Sequence, residues 1–436
     1  MGYNVGLLGL GTVGTGTAKI MLDSVGRHPL LEEISIVRVG VRNPDKAREV
    51  EFETGVLTDD LASIVTDPNI DIIVELIGGV DQALDYILTA IDHGKHVVTA
   101  NKAVISRHGD EIFTAANAKG VYVLLEAAVA GGIPVLTPLK QALGVNRINR
   151  VTGIINGTTN YILTRMKNEG ANFDDVLADA QRLGYAEADP TADVDGLDAA
   201  DKITILASLA FGGRINLKDV YCEGIRKIAA ADIAYAEKLG FTIKLLAIAQ
   251  GRRPASGAMP DEIELKVHPT LLPKHHPLAT VDGVNNAVLV EADPLGEVMF
   301  YGPGAGEGAT ASAVVSDIVS IVATLKSGTS TNDNGNPLLR CSHEHYTRVA
   351  SMDQSVSRFY ARILTQDRPS VIGQIGLAFG EHGVSLESVV QIDVHDRGAE
   401  IVVITHKVSE GEFQAALQAL NALEAVVSIP SVLRVW

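Results

Sequence analysis

Six carboxylates stand ahead of one lysine in EADPTADVDGLDAADK, residues 187–202, a stretch that leads straight into the apolar run ITILASLAF. A charge run is ordinarily a solvated loop, but the spacing here argues otherwise. With Asp195 as a helix cap, Asp198 falls in the first helical turn and Lys202 one turn beyond it on the same face. Helical periodicity assigns Asp201, Thr204 or Ile205, and Ser208 to a polar stripe, whereas Lys202 shares its face with Leu206 and Leu209. A lysine on an inward face needs a partner or a ligand. Its amine can supply a proton and a positive field to an oxygen on which negative charge develops. Asp201 is expected to be solvated, and Asp189, just before Pro190, to serve a turn.

A second lysine, Lys102, follows the apolar HVVTA, just past the carboxyl end of a buried strand. Ligands of open α/β sheets bind at that edge. Gly9, Gly11 and Gly14 form G-x-G-x-x-G between an apolar run and a helix-like one, with Leu10, Thr12 and Val13 interleaved. Glycines so placed allow a tight turn and close backbone approach, and a pyrophosphate can then rest on the helix N-terminus. At the end of the next strand, ISIVRVGV, Arg42 stands where an NAD site would place an acid, with Lys46 shortly after. An arginine suits a 2′-phosphate, which favours NADP over NAD. The polar turn Asn156, Gly157, Thr158, Thr159, Asn160 opens a helix and offers either a threonine cap or contacts to a ligand. The run GPGAGEG, 302–308, again sets glycines before a long helix.

These residues need a scaffold, and the pattern around them supplies one. Strand and helix signals alternate up to residue 134, which predicts a Rossmann dinucleotide-binding domain over 1–134. An α/β domain with a largely antiparallel sheet follows over 135–300, and 301–328 returns to pack on the first domain. Residues 329–352 have linker composition. Residues 353–436 follow the βαββαβ order of a ferredoxin-like unit. A chain of 436 residues with 46% hydrophobic and 20% charged residues is globular and multidomain. Its net charge of -17 argues against nucleic acid and anionic membranes, so small metabolites are the expected partners. Cys222 and Cys341 have no metal-binding spacing. No apolar run approaches the ~18 residues of a membrane span, the start lacks a leader pattern, and a cytoplasmic location is expected.

Six segments in this order carry a family resemblance: GLLGLGTVG, TANKA, EAAVAGGIP, GIINGTTNYIL, AQRLGYAEADPTADVDGLDAADK and GPGAGEGATASAV. Together they resemble homoserine dehydrogenase in its long form with a C-terminal ACT domain, over essentially the whole chain. The resemblance implies reversible NAD(P)-dependent interconversion of L-aspartate 4-semialdehyde and L-homoserine, on the route to threonine and methionine. It implies Lys202 as the acid/base lysine with Asp198 beside it, and Lys102 as a second catalytic lysine near nicotinamide and substrate. Glu187 and Asp193, with Gly157 and Thr158, take the substrate positions, the acids being suited to an α-ammonium group. Gly9, Leu10, Gly11, Thr12, Val13, Gly14, Arg42, Thr99 and Lys102 fall to the cofactor, with Gly306 and Glu307 as the loop closing over the nicotinamide. Glu126, Val129, Gly131 and Ile133 resemble a structural site for a monovalent cation, Na+ or K+.

The ACT portion departs from the family pattern at Ser370, where glycine often follows the DRP turn, and at Ser385, where asparagine is usual. Threonine sensing is thereby less secured than the domain itself, which implies a homodimer or homotetramer. Two other readings stand beside this one: another amino-acid or semialdehyde dehydrogenase, and a non-catalytic NADP-binding amino-acid sensor.

Overall fold

The computed structural model describes residues 2–252, 260, 262–328, 336–341, 343, 345–395 and 398–436. It divides into two compact units, one made of 1–151, 201–218 and 286–347, the other of 152–200, 219–285 and 348–436. Both are therefore built from discontinuous pieces of chain.

The first unit holds a six-stranded parallel sheet. Its strands are β1 (Tyr3–Leu8), β2 (Ile34–Gly40), β3 (Leu57–Thr58), β4 (Ile72–Glu75), β5 (His96–Thr99) and β6 (Val123–Leu124), in spatial order 3-2-1-4-5-6. The two-residue β3 lies in a stretch without a strand signal of its own. The strand cores are nearly all buried, as expected where helices cover both faces. The register pairs Leu8 with Gly40 and Glu75, and Glu75 with Thr99, so the residues after these four positions leave the sheet at one edge. Strand order reverses on the two sides of β1, which makes this edge the ligand crevice of a doubly wound sheet.

The helix Glu307–Lys326 returns to this unit, and Val314, Ile318, Ile321 and Val322 join the core formed by Val5, Leu7, Ile72 and Val98. By length and composition it is apolar enough to cross a bilayer, contrary to the expectation that no segment is. Its burial in the core accounts for that composition. Residues 336–340 of the expected linker are pinned to the same unit: Arg340 donates to the Asn117 side chain at 3.2 Å, and the Asn336 amide to the Tyr122 hydroxyl at 2.8 Å. Its residues Arg348 and Val349 pair instead with Glu262 and Ile263 of the second unit, and 329–335, 342 and 344 lie outside the described residues.

In the second unit Phe241–Arg252 and Glu262–Pro273 pair antiparallel over twelve positions. The last 80 residues fold in the anticipated order, with strands Val356–Thr365, Leu386–His395, Gly398–Thr405 and Val426–Val435 and helices Val371–Glu381 and Glu410–Asn421. Phe359 and Phe413 stack at 4.0 Å between ring centroids in its core. Ser370 adopts φ +74°, a left-handed conformation in which glycine is unstrained. The last strand also pairs in parallel with Glu262–Pro273 through Thr270–Arg434 and Leu271–Val435, so one sheet runs through both parts of this unit.

Candidate active site

The glycine loop leaves β1 at the crevice edge. Gly9 has φ +99° and its amide donates to the Gly40 carbonyl at 2.9 Å, which ties the loop to the end of β2. A Cβ on Gly14 would lie 2.2 Å from the Gly9 carbonyl oxygen, so only glycine lets the helix Thr12–Leu22 start this close to the turn. A Cβ on Gly11 would instead meet nothing within 4 Å and project into open space. That is the surface a pyrophosphate needs: a bare, exposed backbone at a helix N-terminus, with Leu10, Thr12 and Val13 completing the turn. The residues present therefore fit a dinucleotide. Arg42, two positions beyond β2, is exposed at the same edge.

Lys102 is the first residue of the helix Lys102–Lys119, half-buried, and Asn101 caps that helix by accepting from the Val104 amide at 3.2 Å. The Thr99 hydroxyl donates to Glu75 at 2.6 Å and accepts from the Asn101 amide at 3.0 Å. Glu75 is fully buried, and burial raises its carboxyl above the ordinary value against the opposing pull of the Thr99 hydroxyl and the Ile77 and Gly78 amides. Gly306 precedes the long returning helix, whose first residue, Glu307, accepts from Lys19 at 2.7 Å. The Glu307 carboxylate is thus turned toward the end of the first helix.

Around Glu126 the chain bends sharply, with Ala130 and Gly131 both at φ +58°. The Glu126 carboxylate accepts three backbone amides, Val135 at 2.6 Å, Leu136 at 2.8 Å and Thr137 at 2.7 Å. That leaves about one lone-pair direction of the four a carboxylate offers. Val129, Gly131 and Ile133 are buried, and their carbonyls accept no hydrogen bond among the described residues. Buried carbonyls ordinarily find a partner, so three of them beside one carboxylate fit a monovalent cation. The Glu126 amide donates to Asp317 at 2.8 Å. Burial, with Glu126 nearby, holds the Asp317 carboxyl well above its ordinary value.

In the second unit the cap of helix Gly157–Glu169 is Asn156, not one of the threonines of that turn. Its Oδ1 accepts from the Thr159 amide at 2.8 Å, and its Nδ2 donates to Asp193 at 2.7 Å and to Asp198 at 2.9 Å. One carboxamide thus gathers two of the expected site acids, with Asp198 buried and Asp193 half-buried. Thr158 donates to the Tyr185 carbonyl at 2.7 Å, next to Gly157 at the helix start, and Glu187 is exposed. Asp189 accepts from the Thr191 amide at 3.1 Å, as turn chemistry requires.

The helix carrying Lys202 differs from expectation in three ways. It begins at Leu197, so Asp195 is not its cap, and the Asp195 carboxylate accepts from Arg226 at 2.5 Å. Asp198 therefore stands one position earlier in the first turn, still one turn before Lys202. Asp201 is 6% exposed rather than solvated: it accepts from Ser106 at 2.7 Å and Arg107 at 3.1 Å. Thr204 and Ile205 are buried too, so this is a core helix on nearly all sides and Lys202, half-buried, is one of its less covered positions. Glu75 and Asp317 were not singled out in advance. Each had a signal, a lone acid inside an otherwise apolar run, IIVELIGG and SAVVSDIVSIV.

The chain matches the NAD-binding domain of homoserine dehydrogenase over residues 9–126, the homoserine dehydrogenase domain over 134–319 and the ACT domain over 359–425. It is 61% identical to the homoserine dehydrogenase of Synechocystis sp. over 437 aligned residues, the whole of both chains. A crystal structure of a homoserine dehydrogenase from Thiobacillus denitrificans, 42% identical, covers all of this chain and 98% of its own, with a TM-score of 0.90. A hyperthermophilic archaeal homoserine dehydrogenase in complex with NADPH, 26% identical, covers 74% of this chain and 98% of its own, with a TM-score of 0.60. Glycine loop, acid-gathering asparagine and C-terminal ACT fold thus occur in one chain whose full length aligns with these enzymes, and the chain belongs to the homoserine dehydrogenase family.

Proposed function

We propose that this homoserine dehydrogenase reduces L-aspartate 4-semialdehyde reversibly to L-homoserine with NADPH, and that Lys202 protonates the carbonyl oxygen as charge develops on it. The observation that carries this reading is the pair of acids gathered by Asn156, with Lys202 one turn beyond Asp198 on the same helix. When bound, the nicotinamide supplies or takes up the hydride. Lys202 supplies a proton and a positive field to the oxygen, and Lys102, at the carboxyl edge of β5, assists. Asp193 and Glu187 offer the anionic partners that the substrate's ammonium group requires. Asn156 holds Asp193 and Asp198 in place.

Arg42, exposed at the end of β2, supports NADP over NAD, as does the archaeal relative's complex with NADPH. Glu126 and the Val129, Gly131 and Ile133 carbonyls would hold Na+ or K+ as a structural ion that stiffens the bend before residue 134. Threonine feedback acts through the ACT domain in this reading, and Ser370 and Ser385 are the positions that would tune it. Met299 and Tyr301, exposed at 40% and 56% on alternate positions of strand Gly296–Pro303, support a homodimer or homotetramer. The enzyme is read as cytoplasmic. Lys202→Ala should lower kcat for homoserine oxidation by orders of magnitude and leave NADPH binding intact. A loss within tenfold, about 1.4 kcal/mol of barrier, would rule out the acid/base role.

A further inference from the structure

A second concave site lies in the first unit, separate from the glycine loop, Arg42 and Lys102. It is a cavity of about 450 Å3. Its walls come from the helix Lys102–Lys119, from residues 123–126 and 136–141, from the end of the helix Leu197–Phe211 with residues 214–218 after it, and from Leu338, Leu339, Cys341, His343 and Tyr346. Much of the lining is apolar: Ile105, Phe113, Leu136, Ile205, Leu209 and Leu339. A cavity of this size and character suits a small molecule with an apolar body.

Its charges decide what that molecule carries. Arg107 is paired with Asp201, Asp110 accepts from the Tyr346 hydroxyl at 3.0 Å, and the Glu126 carboxylate is taken by three amides. Asp317 is engaged by the Glu126 amide at 2.8 Å, and burial pushes His343 down to about 4, so its imidazole is uncharged at neutral pH. Two cations remain inside, while a third lining cation, Lys218, is exposed. Arg214 is fixed by bonds to the His343 carbonyl at 2.8 Å and the Thr114 hydroxyl at 2.9 Å, and its Nη1 makes no hydrogen bond among the described residues. Lys140 is half-buried and its ammonium makes no hydrogen bond among the described residues. Burial pushes it down to about 8, the response of an ammonium lacking an anion. Neither Lys140 nor Arg214 has a carboxylate partner among the described residues, so both are available to an anion.

We propose that this cavity binds a small organic monocarboxylate with an apolar body, its carboxylate held between Lys140 and Arg214. An α-amino acid fits less well, because Asp110, Glu126 and Asp317 are already engaged by the Tyr346 hydroxyl and by backbone amides. The ligand is thus of a different class from the substrate and from an amino-acid effector.

The test is isothermal titration of the full-length chain with 3-phenylpropionate, with 3-phenylpropanamide and L-phenylalanine as neutral and zwitterionic controls. The expected result is saturable binding of one 3-phenylpropionate per chain, with both controls at least tenfold weaker. Lys140→Met should weaken 3-phenylpropionate at least tenfold, while Lys140→Arg retains it. Gly109→Leu supplies an independent variant: the atoms nearest a Cβ there are those of Phe113 and Ile105, in ordinary van der Waals contact at 3.6–3.7 Å, and the longer side chain is directed at the cavity these residues line. It should abolish binding while NADP affinity and the melting temperature stay at wild-type values. Cys341 lines the cavity, so its alkylation by iodoacetamide should slow when 3-phenylpropionate is present. The proposal is overturned if 3-phenylpropionate does not bind saturably, if the amide or phenylalanine binds equally well, or if binding survives both Lys140→Met and Gly109→Leu.

Discussion

Asn156 offers a sharp test of how Asp193 and Asp198 are held, because Asn156→Asp changes one feature at a time. Aspartate caps a helix as well as asparagine does, so the bond from the Thr159 amide is kept. The two donors are lost. In their place a carboxylate oxygen would stand about 2.8 Å from Asp193 and from Asp198. At an effective dielectric of 20 each contact repels by about 6 kcal/mol, so the three groups cannot all stay ionised and one takes up a proton. The cost is then bounded by holding that proton against solvent. From an ordinary aspartate value near 3.9, this amounts to at most about 5–6 kcal/mol at pH 8 and about 1–2 kcal/mol at pH 5.

The sign follows from linkage. The folded-state pKa of the new group lies above its unfolded value, so its stabilising contribution is complete below the unfolded value and is lost as pH rises through the folded one. Asn156→Asp should therefore melt 10–20 °C below wild type at pH 8 and within about 5 °C at pH 5, taking roughly 2–4 °C per kcal/mol. Asn156→Ser keeps a cap and removes the donors without adding charge, so its deficit of about 2–4 kcal/mol should not vary with pH. Thermal unfolding of the three proteins at both pH values decides it. A deficit for Asn156→Asp that is equal at pH 5 and pH 8, or below about 1 kcal/mol at pH 8, would refute the reasoning.

The glycine loop separates binding from folding. Gly11→Ala should leave the melting temperature unchanged and raise the KM for NADP at least tenfold, whereas Gly14→Ala, with its Cβ against the Gly9 carbonyl, should itself cost about 1–3 kcal/mol in thermal unfolding. Arg42→Ala should raise the KM for NADP by about 10–100-fold, the worth of one charge-assisted phosphate contact, and that for NAD by less than threefold; equal losses would remove Arg42 from the phosphate site. Because the folded pKa of Asp317 is raised, its contribution declines as pH rises. Asp317→Asn, which can still accept from the Glu126 amide, should gain stability relative to wild type from pH 5 to pH 8, and a constant difference across that range would count against it.

What could be read in advance was what depends on neighbouring residues. The glycine loop, Lys102 at a strand end and Asn156 in a polar turn each lie within a few residues of the feature that gives them meaning. Asp201 could not be read this way. Helical periodicity put it on a polar stripe, but its partners, Ser106 and Arg107, come from a helix some 95 positions earlier and turn that stripe inward. Asp195 was misassigned for a related reason. A cap and an ion pair look alike in sequence, and the position of Arg226 decides between them. Glu75 and Asp317 show the converse: a single acid in an apolar run needs buried donors, and those donors are supplied by chain distant in sequence.

The C-terminal domain is where local reading and packing diverge most. Its βαββαβ order was legible, and the linker composition of residues 329–352 set it apart from the chain before it. The packing describes something else. Arg362 of its first strand is 8% exposed and donates to Asp232, on the helix Ala230–Lys238, and to Glu400, both at 2.7 Å; Tyr360 and Tyr235 add hydroxyl donors to the same two acids. Arg434, 5% exposed on the last strand, bonds Glu223 at 2.8 Å and Glu410 at 3.0 Å. Buried charges of this kind add little net stability when complete and cost about 3–5 kcal/mol when one partner is withdrawn. They therefore do little to strengthen the join between the ACT fold and the substrate unit but penalise any other arrangement of it. With a β-sheet continued across the same join, the domain is fixed in register and in charge to the piece of chain that gathers Asp193 and Asp198.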